Sequence, residues 1–126
     1  TYLSHKNGVA GTVIDGACRD VHMCLKLGYP VYSRSYSMRT GKDRVQVDAT
    51  NVPVSIGGAR VHPNDIMRGD SDGVIVIPKE HEDKVLEAAE AIEAAEDKIR
   101  AALKSGMRLD EARQLNQYHH LQSRED

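Results

Sequence analysis

The spacing of apolar residues changes once along the chain, near residue 80. Before that point apolar residues come in short clusters cut by glycine, proline and aspartate. Thr12 to Asp15 is a β-branched run that predicts a strand ending at Gly16, followed by a polar turn through Cys18, Arg19 and Asp20. Val21 to Leu27 suits a short helix closed by Gly28, and Pro30 to Ser33 reads as the next strand. Residues 1–7 read as the end of a helix, with Tyr2, Leu3 and Lys6 on one face and Asn7-Gly8 as its stop. The order helix, strand, helix, strand predicts parallel pairing through a helical crossover.

Residues 34–50 are polar and weakly patterned, although Val45 and Val47 alternate with Gln46 and Asp48 and suggest an edge strand. Short strands follow at Val52 to Ile56, Ala59 to Val61, Ile66-Met67 and Val74 to Ile77. Gly57-Gly58 predicts a hairpin, and the unbroken apolar run 74–77 suits a strand covered on both faces. From Glu82 to about Lys104 the period becomes helical. Val85, Leu86, Ala89, Ile92, Ala95, Ile99, Ala102 and Leu103 fall at steps of three and four. Ser105-Gly106 ends that helix, Leu109 to Leu115 forms another, and the chain closes on a polar tail expected to fray, residues 117–126. The expected class is α/β, with a mixed sheet and a long C-terminal helix.

Composition narrows the function. With 126 residues, 40% hydrophobic and 29% charged, the chain is sized for one globular domain. It has no Trp or Phe, so an aliphatic core is required. A net charge of −2 offers no general attraction to nucleic acid or to an anionic membrane. No apolar run approaches the ~20 residues that span a bilayer, and no signal-peptide pattern opens the sequence. Cys18 and Cys24, separated by five residues, match neither a zinc nor a redox pair, which makes cytoplasm the expected location.

The candidate chemistry lies at Arg19-Asp20. By itself such a pair reads as a surface ion pair worth ~0–1 kcal/mol. Its place directly after a buried strand makes it a candidate site. The stretch Gly11 to Asp20 (GTVIDGACRD) resembles the strand and turn of the class II pyruvate aldolases, the 4-hydroxy-4-methyl-2-oxoglutarate aldolase family that shares its fold with regulator of ribonuclease activity A. The resemblance continues through Gly28 to Tyr32, Asn51 to Val54, Gly57-Gly58, Val61 to Asp65, Gly69 to Val74 and Glu96 to Arg100.

What the resemblance implies is a swivelling β/β/α-type domain, of which residues 1–116 are the C-terminal portion, assembled as a trimeric or hexameric ring. It implies that Asp20 binds a divalent cation, Mg or Mn. Arg19 would contact the enolate oxygen of a pyruvyl group, with Gly16 in the same substrate-binding turn. It further implies a lyase cleaving a 4-hydroxy-2-oxo acid to pyruvate, with oxaloacetate decarboxylation as a possible second activity. The chemistry is coherent: bond cleavage next to a 2-oxo acid builds negative charge on oxygen, which a hard cation and a guanidinium both stabilise. The family pattern also has a further aspartate and a carboxylate-binding glycine turn upstream of Thr1. The expectation is therefore a separate or missing N-terminal half, without which the 126 residues are inert as an aldolase.

Glu96 matches a helix position from which a neighbouring subunit contributes an outer-shell carboxylate, and equally reads as a solvated helix glutamate. His22 reads as a metal neighbour or a bystander, and His119-His120 as solvent-facing. Asn64 stands where the family turn has glycine, and Asn tolerates the left-handed conformation. Two other functions stay open: a non-catalytic ribonuclease-regulator-like binding protein, and a self-processed hydrolase or amidase with Thr1 as nucleophile and its α-amine as base.

Overall fold

The computed structural model describes residues 1–121, with the side chain of His120 outside the description; residues 122–126 of the expected polar tail lie outside it as well. The chain divides into two compact units, Thr1–Lys79 and Glu80–Asp126.

The first unit opens with α1 (Tyr2–Lys6), β1 (Thr12–Cys18), α2 (Val21–Leu27) and β2 (Val31–Tyr36). β1 and β2 pair in parallel, as the alternation of elements predicts. The C-cap of α2 is Gly28, at φ +61°, a conformation that glycine adopts without the Cβ clash other residues meet. Both strands outrun their sequence signal. β1 passes through Gly16 because the ladder slips there: Ile14 pairs with Ser33 but Ala17 pairs with Ser35, so β1 carries one extra residue at Asp15-Gly16.

Two antiparallel ladders follow, β3 (Val54–Ile56) with β4 (Ala59–Val61) and β5 (Ile66–Gly69) with β6 (Val74–Ile77). Gly57 and Gly58 turn the first at φ +60° and +87°, the hairpin expected of that dipeptide. Among the described residues the strands thus form three two-stranded ladders, one parallel and two antiparallel, where one mixed sheet was expected. No strand forms at 45–48: Val45 and Val47 stand exposed in the long connection between β2 and β3. Alternation marks a strand only where a neighbour supplies backbone partners. The run 74–77 is also not covered on both faces, since Ile75 is 59% exposed.

The core of this unit is small. Tyr29, Cys24 and Val61 are buried, and the Tyr29 hydroxyl meets Thr12 Oγ1 at 2.6 Å. The His5 and Tyr29 rings meet in a T-shaped contact, which ties α1 to the segment just before β2. Gly69 admits the Tyr32 ring: a Cβ there would lie 2.6 Å from Tyr32 Cζ.

The second unit is helical: α3 (Glu82–Lys104), α4 (Leu109–Leu115) and α5 (Tyr118–Leu121). The long helix matches its sequence signal, but its stripe is buried only in its second half, at Ala95 and Ile99; Val85 and Leu86 stay exposed. Ala112 of α4 is fully buried, small enough to let α4 approach α3. α5 sits within the stretch read as tail, where the Arg113 guanidinium lies 5.5 Å above the Tyr118 ring. No described helix is long and apolar enough to cross a membrane.

Candidate functional site

β1 delivers Arg19 and Asp20 to its carboxyl end, at the β-to-α turn of a parallel unit. In open α/β sheets that is where ligands are bound. Asp20 is the N-cap of α2 but adopts φ +64°, ψ +31° and makes no side-chain cap hydrogen bond. A left-handed L-residue costs on the order of 1 kcal/mol, least for Asp and Asn, whose short polar side chains tolerate it. The usual return for an aspartate at an N-cap, a bond to the helix amides, is absent here.

The Arg19 guanidinium meets the Asp20 carboxylate at 3.4 Å, a long contact between side chains that are 52% and 53% exposed. Asp20 therefore keeps oxygen lone pairs open to solvent. Cys18 and Val21, on either side of the pair, line an apolar pocket of about 320 Å³ together with Cys24, Leu25 and Tyr29. Gly16 lies in the bulge of the same strand. A Cβ there would meet Ile14 Cγ2 at 3.7 Å, an ordinary contact, so neither space nor backbone angle demands glycine.

The other sequence candidates fall elsewhere. Thr1 precedes α1, with its hydroxyl 3.8 Å from the Cys24 thiol of α2. Glu96 belongs to the helical unit, where both its oxygens accept hydrogen bonds, from Arg100 Nη1 at 3.2 Å and from the Tyr118 hydroxyl at 3.1 Å. His22 is exposed on α2, and His119 on α5. Asn64 takes φ +76°, as the turn requires of the residue that replaces glycine. Among the described residues no three His, Cys, Asp or Glu side chains cluster as a metal site. As donors, the residues present fit part of a magnesium or manganese site: Asp20 offers one hard carboxylate, and such ions hold several waters beside one or two carboxylates.

Two further aspartates were not singled out by sequence. Asp15 pairs with Arg34 across the β1–β2 ladder at the edge of an open cleft of about 840 Å³. The Arg34 guanidinium holds its carboxyl below the usual carboxylate range against the opposing effect of burial, with a lesser contribution from the Gly57 amide. The available signal was a charge inside a β-branched strand, with arginine in the partner strand. Asp65 has a side chain only 7% exposed and accepts from two backbone amides, His62 at 2.7 Å and Lys79 at 3.1 Å. The His62 amide first, then the Lys79 amide and the nearby His62 ring, hold it below the usual range. It fastens the turn after β4, with each of its oxygens engaged by a backbone amide.

Comparison with known proteins adds the lineage. A family model described as RraA-like, Aldolase/RraA, matches residues 1–76. Protein DlpA of Legionella pneumophila is 37% identical over 90% of this chain and 18% of its own length. A Halalkalibacterium halodurans protein named "Putative 4-hydroxy-4-methyl-2-oxoglutarate aldolase" is 39% identical over 71% of this chain and 42% of its own. A crystal structure of an uncharacterized Pseudomonas syringae protein superposes with a TM-score of 0.86 at 38% identity, covering 89% of this chain and 56% of that one. The chain thus spans about half or less of the length of these relatives.

Proposed function

Because the chain belongs to the RraA-like (Aldolase/RraA) family, we propose that it is part of a metal-dependent carbon–carbon lyase that cleaves a 4-hydroxy-2-oxo acid to pyruvate. Relatives bearing an aldolase name support the reaction class. The observation that carries the reading is the Arg19-Asp20 turn: an exposed carboxylate in a left-handed conformation, beside a guanidinium, at the end of a parallel strand. Strain of this kind gathers at functional sites.

In this proposal Asp20 would hold a magnesium or manganese ion, and that ion would supply positive charge where the enolate oxygen develops. Arg19 is the fixed donor: its planar fork hydrogen-bonds the keto oxygen as negative charge grows there, and it cannot lose its proton. Gly16, in the bulge where β1 slips against β2, offers backbone to the substrate. Glu96 of a neighbouring subunit would act as an outer carboxylate through the lone pairs that Arg100 and Tyr118 leave open. The longer relatives contain further chain, from which the remaining ligands and the carboxylate-binding turn would come.

The test is pyruvate release from 4-hydroxy-4-methyl-2-oxoglutarate by the complete assembly, with magnesium or manganese and after chelation. Release that disappears with chelator, together with loss of metal binding in Asp20→Ala, is expected. Undiminished release and unchanged metal binding in Asp20→Ala would sink the reading.

A further inference from the structure

The spacing of Cys18 and Cys24 in sequence matches no redox motif, yet the fold brings both to the walls of one small pocket. Cys18 is the last residue of β1 and is partly buried; Cys24 lies within α2 and is buried. Together with Val21, Leu25 and Tyr29 they line the apolar space of about 320 Å³ beside the candidate site. Both are free thiols. The Thr1 hydroxyl, 3.8 Å from Cys24 Sγ, is a long and weak partner.

The chain between the two sulfurs carries the Arg19-Asp20 turn. That turn is loosely held: Asp20 sits at φ +64° without a cap bond, and its one ion-pair contact is long and exposed. A disulfide needs Cα atoms about 4.4–6.8 Å apart. Whatever approach of the β1 end and α2 this demands falls on the turn between them, which has few bonds to lose.

We propose that Cys18 and Cys24 form a reversible, peroxide-driven disulfide across this pocket, and that closing the ring moves the Arg19-Asp20 turn. The ring takes in the seven residues Cys18–Cys24, so the bond cannot form without fixing the path of Arg19 and Asp20. The Cys18 sulfur, the more open of the two, attacks one oxygen of hydrogen peroxide. The O–O bond breaks, water leaves, and Cys18 becomes a sulfenic acid. The Cys24 thiol then attacks the Cys18 sulfur; the S–O bond breaks and a second water leaves. Two thiols give up two electrons and two hydrogens, and the peroxide is reduced to water. In a reducing compartment such bonds are transient and serve as sensors.

The complete protein is treated with hydrogen peroxide, quenched with catalase, alkylated with N-ethylmaleimide and digested with trypsin. Cleavage after Arg19 puts the two cysteines on separate peptides, Asn7–Arg19 and Asp20–Lys26. The expected product is this pair joined, two hydrogens lighter than the separate thiol peptides, and parted again by dithiothreitol. In Cys24→Ser, oxidation should stop at the Cys18 sulfenic acid. Dimedone should trap at least ~tenfold more of it there than in the unsubstituted protein, where a neighbouring thiol competes intramolecularly. Cys24→Ala repeats the measurement should serine disturb the buried position. Equal trapping in both proteins, full alkylation of both thiols after peroxide, or linkage of Cys18 to any other cysteine would overturn the proposal. The effect on activity rests on the lyase reading: pyruvate release should fall on oxidation and return with dithiothreitol. Release unchanged with the bond formed would refute the switch. A reduced assembly that releases no pyruvate counts against the lyase reading alone, since the joined peptides report the bond without it.

Discussion

The two units differ at one carboxylate. In the helical unit three acidic side chains are bound locally: Glu96 takes bonds from Arg100 and Tyr118, Asp97 from Arg100, and Asp110 from Arg108. In the strand unit Asp65 is likewise committed, to two backbone amides. Asp20 is different: it has one long contact, a half-exposed carboxylate and an unfavourable backbone angle. A side chain that contributes so little to its own fold is the one to suspect of contributing elsewhere.

That contrast can be broken most severely at Asp20 itself. In the complete assembly Asp20→Ala should lower pyruvate release by about 10²–10³-fold, because the ion that stabilises the developing charge would no longer be held. Its melting midpoint should fall only slightly, because alanine tolerates the left-handed angle less well than aspartate. A large fall in the midpoint with activity retained would reassign the residue to structure. The helical unit should respond in the reverse sense, through packing. Ile99 is buried in α3, and Ile99→Ala should cost about 2–5 kcal/mol in chemical denaturation. A smaller loss would show that the site collapses around the cavity.

Acid titration sharpens the comparison within the strand unit. Asp65 has a folded-state pKa below its unfolded value, so its stabilising contribution is present above the ordinary carboxylate range and disappears as pH falls through the folded value. Asp65→Asn should reduce stability at neutral pH and flatten its decline on acidification. Parallel pH profiles of the two proteins would deny Asp65 its role. The smallest effect is expected at Glu96. Glu96→Gln weakens an exposed i,i+4 pair with Arg100 and should change stability by no more than about 0.5 kcal/mol. A much larger change would mean that Glu96 works beyond the helical unit.

Much of the fold was legible because it is locally encoded. The crossover α2 was readable from its apolar run and from Gly28, and the turn at residues 57 and 58 needs two positive φ angles that two glycines announce. The long helix shows in its own period. The failures share a cause: Val45 and Val47 alternate like a strand, and the run 74–77 reads as doubly covered, but pairing and coverage depend on neighbours that a local pattern does not name. The ends of β1 and β2 were misjudged because Gly16 looks like a stop, whereas a bulge absorbs it. At the site, Arg19 and Asp20 could be located because they are adjacent in sequence. The left-handed angle of Asp20 has no sequence marker, since aspartate is ordinary at a helix start.

The slipped residue in β1 has one more consequence. Side chains along a strand point up and down in strict succession, so a single added residue inverts the phase of everything downstream. The direction in which β1 presents Cys18 and the turn after it is thus set by parity. Here the bulge absorbs the added residue, so Ala17 stays in step with Ser35 and Cys18 with Tyr36, and the turn that carries the guanidinium and carboxylate keeps its side of the ladder.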